Sequence, residues 1–193
     1  MINIPTALTL SRILAIPVVV SLFYFDNSMN RWIMLTIYIV AGITDFFDGY
    51  LARRSNQVSS LGRFLDPIAD KLLVACLLIM LAGFGRISEI SLIPASIILA
   101  REILVSGLRE FLAGGKIKLP VSNLAKAKTF LQMFAISALL TGETGNKIIN
   151  FQDYNAQTIG IILLWLSAFL TLYTGYDYLR KGIDHAISED NKD

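Results

Sequence analysis

The sequence predicts an all-α, polytopic membrane protein in which six transmembrane helices surround a polar cavity that opens to the cytoplasm. Of its 193 residues, 54% are hydrophobic. The mean hydropathy of +0.59 is above that of ordinary soluble domains. The apolar residues form long segments, and four aspartates interrupt two of these segments. A formal net charge of +2 implies no nucleic-acid partner.

Six apolar segments follow one another along the chain, each about long enough to cross a bilayer as a helix. They are predicted at residues 6–24, 32–54, 60–83, 88–113, 122–141 and 157–180. Polar and glycine-containing stretches separate them. We therefore expect a single membrane domain over residues 1–187, followed by a polar tail at 188–193.

Lys and Arg residues are distributed unequally between the two predicted faces of the membrane. If the N-terminus is cytoplasmic, that side and its helix ends carry all of the 17 except Arg31, Arg86 and Lys147. The positive-inside rule then places both termini in the cytoplasm. The predicted location is the cell membrane, as a multi-pass protein.

Four carboxylates lie within the second and third segments, where an unpaired charge is costly. On a helix, Asp45 and Asp48 share one face, and Asp66 and Asp70 share another. Two such faces turned toward each other form an oxygen-rich cage that suits Mg²⁺ or Mn²⁺, and paired metals are typical of phosphoryl or pyrophosphate chemistry. The alternative for each aspartate alone is a helix cap or an ion pair with a nearby basic residue: Arg53, Arg54, Arg63 or Lys71.

The four aspartates are predicted to lie in the cytoplasmic leaflet. At about 1.5 Å per residue, Asp48 and Asp66 lie roughly 10 Å deep, and Asp45 and Asp70 lie roughly 15 Å deep. Basic residues of the fourth and fifth segments fall in the same leaflet. Charges at this depth are tolerated where they line a hydrated cavity, so the site is predicted on the cytoplasmic side.

A fixed spacing, D-x2-D-G-x2-A-R-x8-G-x3-D-x3-D, runs through the second and third segments. Its positions are occupied by Asp45, Asp48, Gly49, Ala52, Arg53, Gly62, Asp66 and Asp70. This pattern resembles, without a departure, that of the CDP-alcohol phosphatidyltransferases. Residues 3–12, Ala100-Arg101-Glu102 and Lys126-Ala127-Lys128-Thr129 resemble the phosphatidylglycerophosphate synthase branch of that family.

The resemblance implies a membrane transferase that moves the phosphatidyl group of CDP-diacylglycerol to an alcohol and releases CMP. For this branch the implied acceptor is sn-glycerol 3-phosphate, and the product is phosphatidylglycerophosphate. The resemblance implies two ions, Mg²⁺ or Mn²⁺, held by Asp45, Asp48, Asp66 and Asp70. It makes Asp70 also the general base on the incoming alcohol. It further implies contact with membrane lipid and a homodimer.

Candidate substrate-binding residues flank the aspartates. Gly49 lets a diphosphate approach the backbone, and Arg53 offers a planar fork of donors for phosphate. By resemblance, Ser59 contributes to the site of the CDP moiety, and Gly62 allows close approach beside it. The alternatives are helix packing for Gly49 and snorkelling to the interface for Arg53.

Four cations in the fourth and fifth segments are candidates for holding the acceptor: Arg101, Arg109, Lys126 and Lys128. An acceptor that carries its own phosphate needs several cations to replace its hydration. The alternative for Arg109 is an ion pair with Glu102 on nearly the same helical face. Aromatic residues near the end of the sixth segment are interpreted as interfacial anchors rather than site residues: Tyr173, Tyr176 and Tyr178.

Two other functions remain open from the sequence. The first is a synthase of the same family for another acceptor, such as inositol phosphate, serine or phosphatidylglycerol. The second is a cation transporter whose intramembrane aspartates form an ion path. A transporter favours carboxylates near the bilayer midplane with access from both sides. Their predicted position in one leaflet, beside glycine and arginine, favours a phosphate ligand.

Overall fold

The computed structural model describes residues 4–55, 60–114, 122–147 and 155–190, and within these ranges it contains helices and turns but no strand. Six long helices are α1 (Ile4–Tyr24), α2 (Ser28–Ser55), α3 (Ser60–Gly83), α4 (Leu92–Gly114), α5 (Asn123–Thr141) and α6 (Ala156–Asp190). Two short 3-10 helices, Glu89–Ser91 and Gly142–Lys147, precede α4 and follow α5. The predicted all-α class is confirmed.

Side-chain caps fix where three of the helices begin. Oδ1 of Asn27 accepts a 2.9 Å hydrogen bond from the N–H of Asn30, so α2 starts before the predicted residue 32. Oγ of Ser122 and Oδ1 of Asn155 accept equivalent bonds at the starts of α5 and α6. α6 continues beyond residue 180 to Asp190. The predicted segment ends earlier because charged residues after this point can belong to a helix without raising its hydropathy. The polar tail at 188–193 stays a prediction.

The chain divides into two compact units. The first comprises Met1–Ser88 and Ile136–Gly160, which include α1, α2 and α3. The second comprises Glu89–Ala135 and Ile161–Asp193, which include α4 and most of α5 and α6. The single membrane domain over residues 1–187 stays a prediction.

In the first unit, α1 packs against both α2 and α3. Five core side chains from these helices are at most 1% exposed: Val19, Phe23, Met34, Leu77 and Leu81. In a bilayer, such contacts stabilise the fold through close packing rather than through exclusion of water. This packing brings α1 next to the two helices that carry the aspartates.

In the second unit, the core combines apolar and polar side chains. Ile98 and Val105 of α4 and Leu164 of α6 are buried. Polar side chains are buried in the same unit: Lys128, Gln132, Ser167, Thr171 and Thr174. Buried polar groups within apolar helices mark either a polar helix contact or a functional site.

Three segments are long and apolar enough to cross a membrane: Thr6–Tyr24, Glu89–Leu112 and Ala156–Arg180. Large apolar side chains on these helices are exposed, such as Leu14, Ile103 and Phe169. Such surfaces suit contact with lipid. The described residues therefore indicate a membrane protein. That α2, α3 and α5 also cross the bilayer stays a prediction.

Candidate active site

Asp45, in α2, is paired with a cation from α1. Nη1 of Arg12 donates a 2.6 Å hydrogen bond to Oδ1 of Asp45. The Arg12 side chain is 2% exposed, whereas the Asp45 side chain is 48% exposed. A guanidinium buried between apolar helices needs such a partner. The carboxylate is thus oriented by Arg12 and still accessible to a ligand.

Asp66, in α3, is contacted by a hydroxyl from the same helix α1. Thr9 is fully buried, and its Oγ1 donates a hydrogen bond to Oδ1 of Asp66. A buried hydroxyl requires an acceptor, and an ionised carboxylate is a strong one. Arg12 and Thr9 therefore position one aspartate on each of two helices, and both act from α1.

Asp70 lies four residues after Asp66 in α3, so the two carboxylates are on one side of that helix. The Asp70 side chain is exposed, and Gly62 in the first turn of α3 is buried. Next to Asp70, Nζ of Lys71 donates a 2.8 Å hydrogen bond to the carbonyl oxygen of Pro67. Asp70 is thus accessible to a substrate, as a general base must be.

Several predicted site residues lie outside the described side chains. Asp48, Gly49 and Arg53 belong to the last turns of α2, where the structure describes the backbone only. Ser59 lies outside the described residues. Among the described residues, no three of the His, Cys, Asp and Glu side chains are grouped to hold a metal ion. The cage of four carboxylates stays a prediction, since Asp48 is not in that set.

Cations and one carboxylate form a cluster in the second unit. Nζ of Lys128, in α5, donates a hydrogen bond to Oε1 of Glu102 in α4, and Nη1 of Arg101 lies 3.6 Å from the same oxygen. The Lys128 side chain is 5% exposed. Burial without this carboxylate would be costly for the ammonium group. Lys126, near the start of α5, is exposed.

Arg109 and Arg101 both lie over the ring of Tyr178 in α6. Their Cζ atoms are 5.4 Å and 5.6 Å from the ring centroid, within the usual range for a cation–π contact. The interpretation of Tyr178 as an interfacial aromatic is wrong, since this residue is 6% exposed. Tyr173 and Tyr176 are 67% and 69% exposed, as interfacial anchors should be.

A second charged cluster in the first unit was not predicted. Asp26 receives two 2.7 Å hydrogen bonds from Arg31 and one of 2.8 Å from Arg86. The bonds from Arg31 lower the pKa of Asp26 below its ordinary value of 3.8. Burial lowers the pKa of Arg86, whose Nη1 also donates to the carbonyl oxygen of Leu140. A cavity of about 310 Å³ adjoins this cluster, lined by Asn27, Ser28, Arg31, Glu143 and Thr144.

Sequence reasoning gave no site role to three residues that contact candidate site residues: Thr9, Arg12 and Tyr178. The signals were present in two helices. Thr6, Thr9 and Arg12 recur at a spacing of three in an apolar segment, which places them on one side of α1. In α6 a helical spacing of three or four joins buried small, polar and aromatic residues: Thr171, Thr174, Gly175, Tyr178 and Gly182.

Comparison with known proteins supplies a family and a set of relatives. The sequence model described as CDP-alcohol phosphatidyltransferase matches residues 2–173. The chain is 53% identical to a protein of Rickettsia typhi over 92% of this chain and 96% of that one. It is 38% identical to a protein of Cereibacter sphaeroides over 97% of this chain and 98% of that one. A protein of Pectobacterium atrosepticum is 40% identical over 92% of this chain and 93% of its own. All three are named CDP-diacylglycerol–glycerol-3-phosphate 3-phosphatidyltransferase.

Proposed function

This chain belongs to the CDP-alcohol phosphatidyltransferase family, and we propose that it transfers the phosphatidyl group of CDP-diacylglycerol to sn-glycerol 3-phosphate. The products are phosphatidylglycerophosphate and CMP. The observation that carries the proposal is the 53% identity, over 92% of the chain, to a relative named for this reaction. In the cluster of the second unit, Arg101, Arg109 and Lys128 outnumber the carboxylate of Glu102, which supports a phosphorylated acceptor because a phosphate needs cationic donors to replace its hydration.

Asp45, Asp48, Asp66 and Asp70 are the proposed ligands of two divalent ions, Mg²⁺ or Mn²⁺. The family is generally dependent on divalent metals. The described carboxylates fit such ions, because Asp45 and Asp66 are oriented by Arg12 and Thr9 and neither is fully buried. When bound, the ions neutralise the charge of the donor's diphosphate and of the leaving phosphate.

Asp70 is the proposed general base. Its exposed carboxylate takes the proton of the acceptor hydroxyl as the hydroxyl oxygen attacks the phosphorus on the lipid side of CDP-diacylglycerol. A new P–O bond forms to the acceptor, and the bond from that phosphorus to the CMP oxygen breaks. CMP leaves with the electron pair, and no oxidant or other reactant is required.

The remaining motif residues are proposed to hold the donor. Gly49 and Gly62 lack side chains where the CDP group approaches the helices, and Arg53 and Ser59 donate hydrogen bonds to it. The acceptor phosphate is assigned to the cations of the second unit, Arg101, Arg109, Lys126 and Lys128.

We further propose that all six long helices cross the cell membrane, that the site opens to the cytoplasm, and that the protein is a homodimer. The three apolar spans support a membrane location. Placement of the site on the cytoplasmic side rests on the excess of Lys and Arg on that side. CDP-diacylglycerol reaches such a site from the bilayer, and glycerol 3-phosphate reaches it from water.

The decisive experiment measures CMP release from CDP-diacylglycerol by the purified protein with Mg²⁺ and a panel of acceptors. We expect turnover with glycerol 3-phosphate, little with inositol phosphate, serine or phosphatidylglycerol, and none after chelation. Asp66→Asn is the matched inactive control. Preference for another acceptor would change the substrate and keep the family reaction. Cation flux into proteoliposomes without CMP release would point instead to a transporter.

A further inference from the structure

Tyr178, in α6, is a buried residue of the second unit that contacts two arginines of α4. Its side chain is buried, and both Arg101 and Arg109 lie within 5.6 Å of its ring centroid. Both arginines belong to the apolar segment Glu89–Leu112. Two guanidinium groups in such a segment need stabilising contacts, and the ring supplies one to each.

An aromatic ring stabilises a cation without neutralising it. A carboxylate differs from a ring in this respect, and that of Glu102 is shared between Lys128 and Arg101. Arg101 lies 3.6 Å from that shared carboxylate, and its Nη2 donates a 3.2 Å hydrogen bond to the neutral hydroxyl of Thr174. Beyond that one carboxylate, Arg101 contacts the neutral ring and hydroxyl, which add no further negative charge and so leave the guanidinium attractive to an anionic ligand.

α6 also fixes the aliphatic part of Arg101. A Cβ atom at Gly175 would lie 3.0 Å from Cγ and 3.3 Å from Nε of Arg101, so the glycine leaves room for the arginine to cross the helix. Thr174 directs its hydroxyl proton to the carbonyl oxygen of Leu170, at 2.7 Å, and therefore accepts from Arg101. The turn 174–178 of α6 thus contacts Arg101 along its length.

We propose that Tyr178 is a positioning residue for acceptor binding: its ring holds the guanidinium groups of Arg101 and Arg109 in the orientation that receives the phosphate of the acceptor. This inference rests on the proposed function, since it requires a phosphorylated acceptor. The aromatic ring is the determinant. Phenylalanine at this position should therefore retain binding of the acceptor, and an aliphatic side chain of similar size should weaken it.

The test compares Tyr178→Leu and Tyr178→Phe with the parent in steady-state assays of CMP release, with Mg²⁺ and varied glycerol 3-phosphate or CDP-diacylglycerol. Loss of the ring should raise KM for glycerol 3-phosphate by about three- to thirty-fold and leave KM for CDP-diacylglycerol within about twofold. Tyr178→Phe should stay within about twofold of the parent for both. Tyr176→Leu, on the exposed side of α6, is the matched control and should change neither KM.

A double-substitution cycle tests whether Tyr178 acts through the arginines. In an Arg109→Ala background, Tyr178→Leu should raise KM for glycerol 3-phosphate by less than it does in the parent. If Tyr178→Leu is not recovered as folded protein, Gly175→Ala decides. It favours the helix, displaces Arg101 and should raise the same KM by several-fold.

Three results would overturn the inference while the parent still uses glycerol 3-phosphate: an unchanged KM in Tyr178→Leu, equal effects of Leu and Phe, or full additivity in the cycle. A parent that releases CMP only with uncharged alcohols would instead overturn the proposed acceptor. The two failures are therefore distinguishable in the same set of assays.

Discussion

Arg12 and Thr9 show how the candidate site depends on residues outside its motif. Each is at most 3% exposed, and each binds one of the aspartates from α1. A buried cation and a buried hydroxyl that bond to these carboxylates fix the orientation of the two aspartate side chains. The candidate site therefore includes more than the motif aspartates, because α1 supplies the side chains that orient two of them.

Replacing Asp45, Asp48 or Asp66 singly with Asn should lower kcat/KM by about a hundredfold or more, because each change removes a charged ligand and keeps the side-chain size. The measurement is CMP release at limiting Mg²⁺. Asp177→Asn, an exposed aspartate of α6, is the control and should retain activity. Parent-like turnover in any one variant would remove that residue from the set of ligands.

Asp70→Asn should differ from these variants in kind. Loss of the base acts on the chemical step, so binding of CDP-diacylglycerol should be retained better than turnover. Equilibrium binding of the liponucleotide, measured beside kcat, separates the two quantities. If binding and turnover fall in proportion, Asp70 acts as a metal ligand only.

Arg109→Ala or Lys128→Ala should raise KM for glycerol 3-phosphate by about tenfold or more and leave KM for CDP-diacylglycerol within a few-fold. The reason is the loss of a charge-assisted hydrogen bond of about 1.5 to 3 kcal/mol to the acceptor phosphate. Arg180→Ala, an exposed cation of α6, serves as the control. Weaker use of the liponucleotide instead of the acceptor would contradict this assignment.

The limits of prediction from sequence are visible at single residues. Asp45, Asp66 and Asp70 could be chosen because a carboxylate in an apolar helix is unusual and their spacing is fixed. The partners of Asp45 and Asp66, which are Arg12 and Thr9, could not be predicted. The sequence does not show that α1 packs against both α2 and α3. Tyr178 was misread because hydropathy cannot distinguish a tyrosine facing lipid from one facing another helix.

At the scale of helices, the cluster of Asp26, Arg31 and Arg86 joins the ends of several elements in the first unit. Asp26 follows α1, Arg31 is in the first turns of α2, and Arg86 follows α3. Arg86 also donates to the carbonyl oxygen of Leu140 near the end of α5. An arginine can satisfy several acceptors at once with its planar fork, which suits a junction of helix ends.

Because of this cluster, the free energy of unfolding should depend on pH. The folded-state pKa of Asp26 is below its ordinary value of 3.8, so its contribution is present above that pH and is lost as pH falls through the folded pKa. Thermal unfolding of the parent and of Asp26→Asn at pH 7, 5, 4 and 3 tests this. The difference in Tm should shrink below about pH 4.

Arg31→Gln provides the matched comparison, because Arg31 is the main cause of the lowered pKa of Asp26. Its Tm profile should lose the same acid dependence. Parallel profiles of the parent and Asp26→Asn down to pH 3 would show that the pair contributes nothing to stability.

At the scale of the whole molecule, each of the six long helices corresponds to one of the six predicted apolar segments. This agreement was possible because the length and hydropathy of a segment can be read directly from the sequence. Among the described residues, three of these helices are long and apolar enough to cross a membrane. The others carry the residues of the candidate site or their neighbours in sequence. In α2 and α3, the aspartates and basic residues of the motif lower the mean hydropathy of the helix.

The protein is expected to be a homodimer, as the family resemblance implies. Native mass measurement in lipid particles should give twice the mass of one 21.4 kDa chain. The specific activity of the same particles should be measured alongside. Full activity in particles that hold one chain would contradict the expectation.

The contact between Arg12 and Asp45 also constrains the order of assembly during synthesis. The two residues are 33 positions apart, so the ribosome needs about 2 to 7 s after Arg12 to make its partner. During that interval the first helix presents a cation to the membrane without the carboxylate that later balances it. The long side chain of Arg12 can extend toward the lipid headgroups during that interval. The first helix can therefore take its final depth in the membrane only after the second helix has been made.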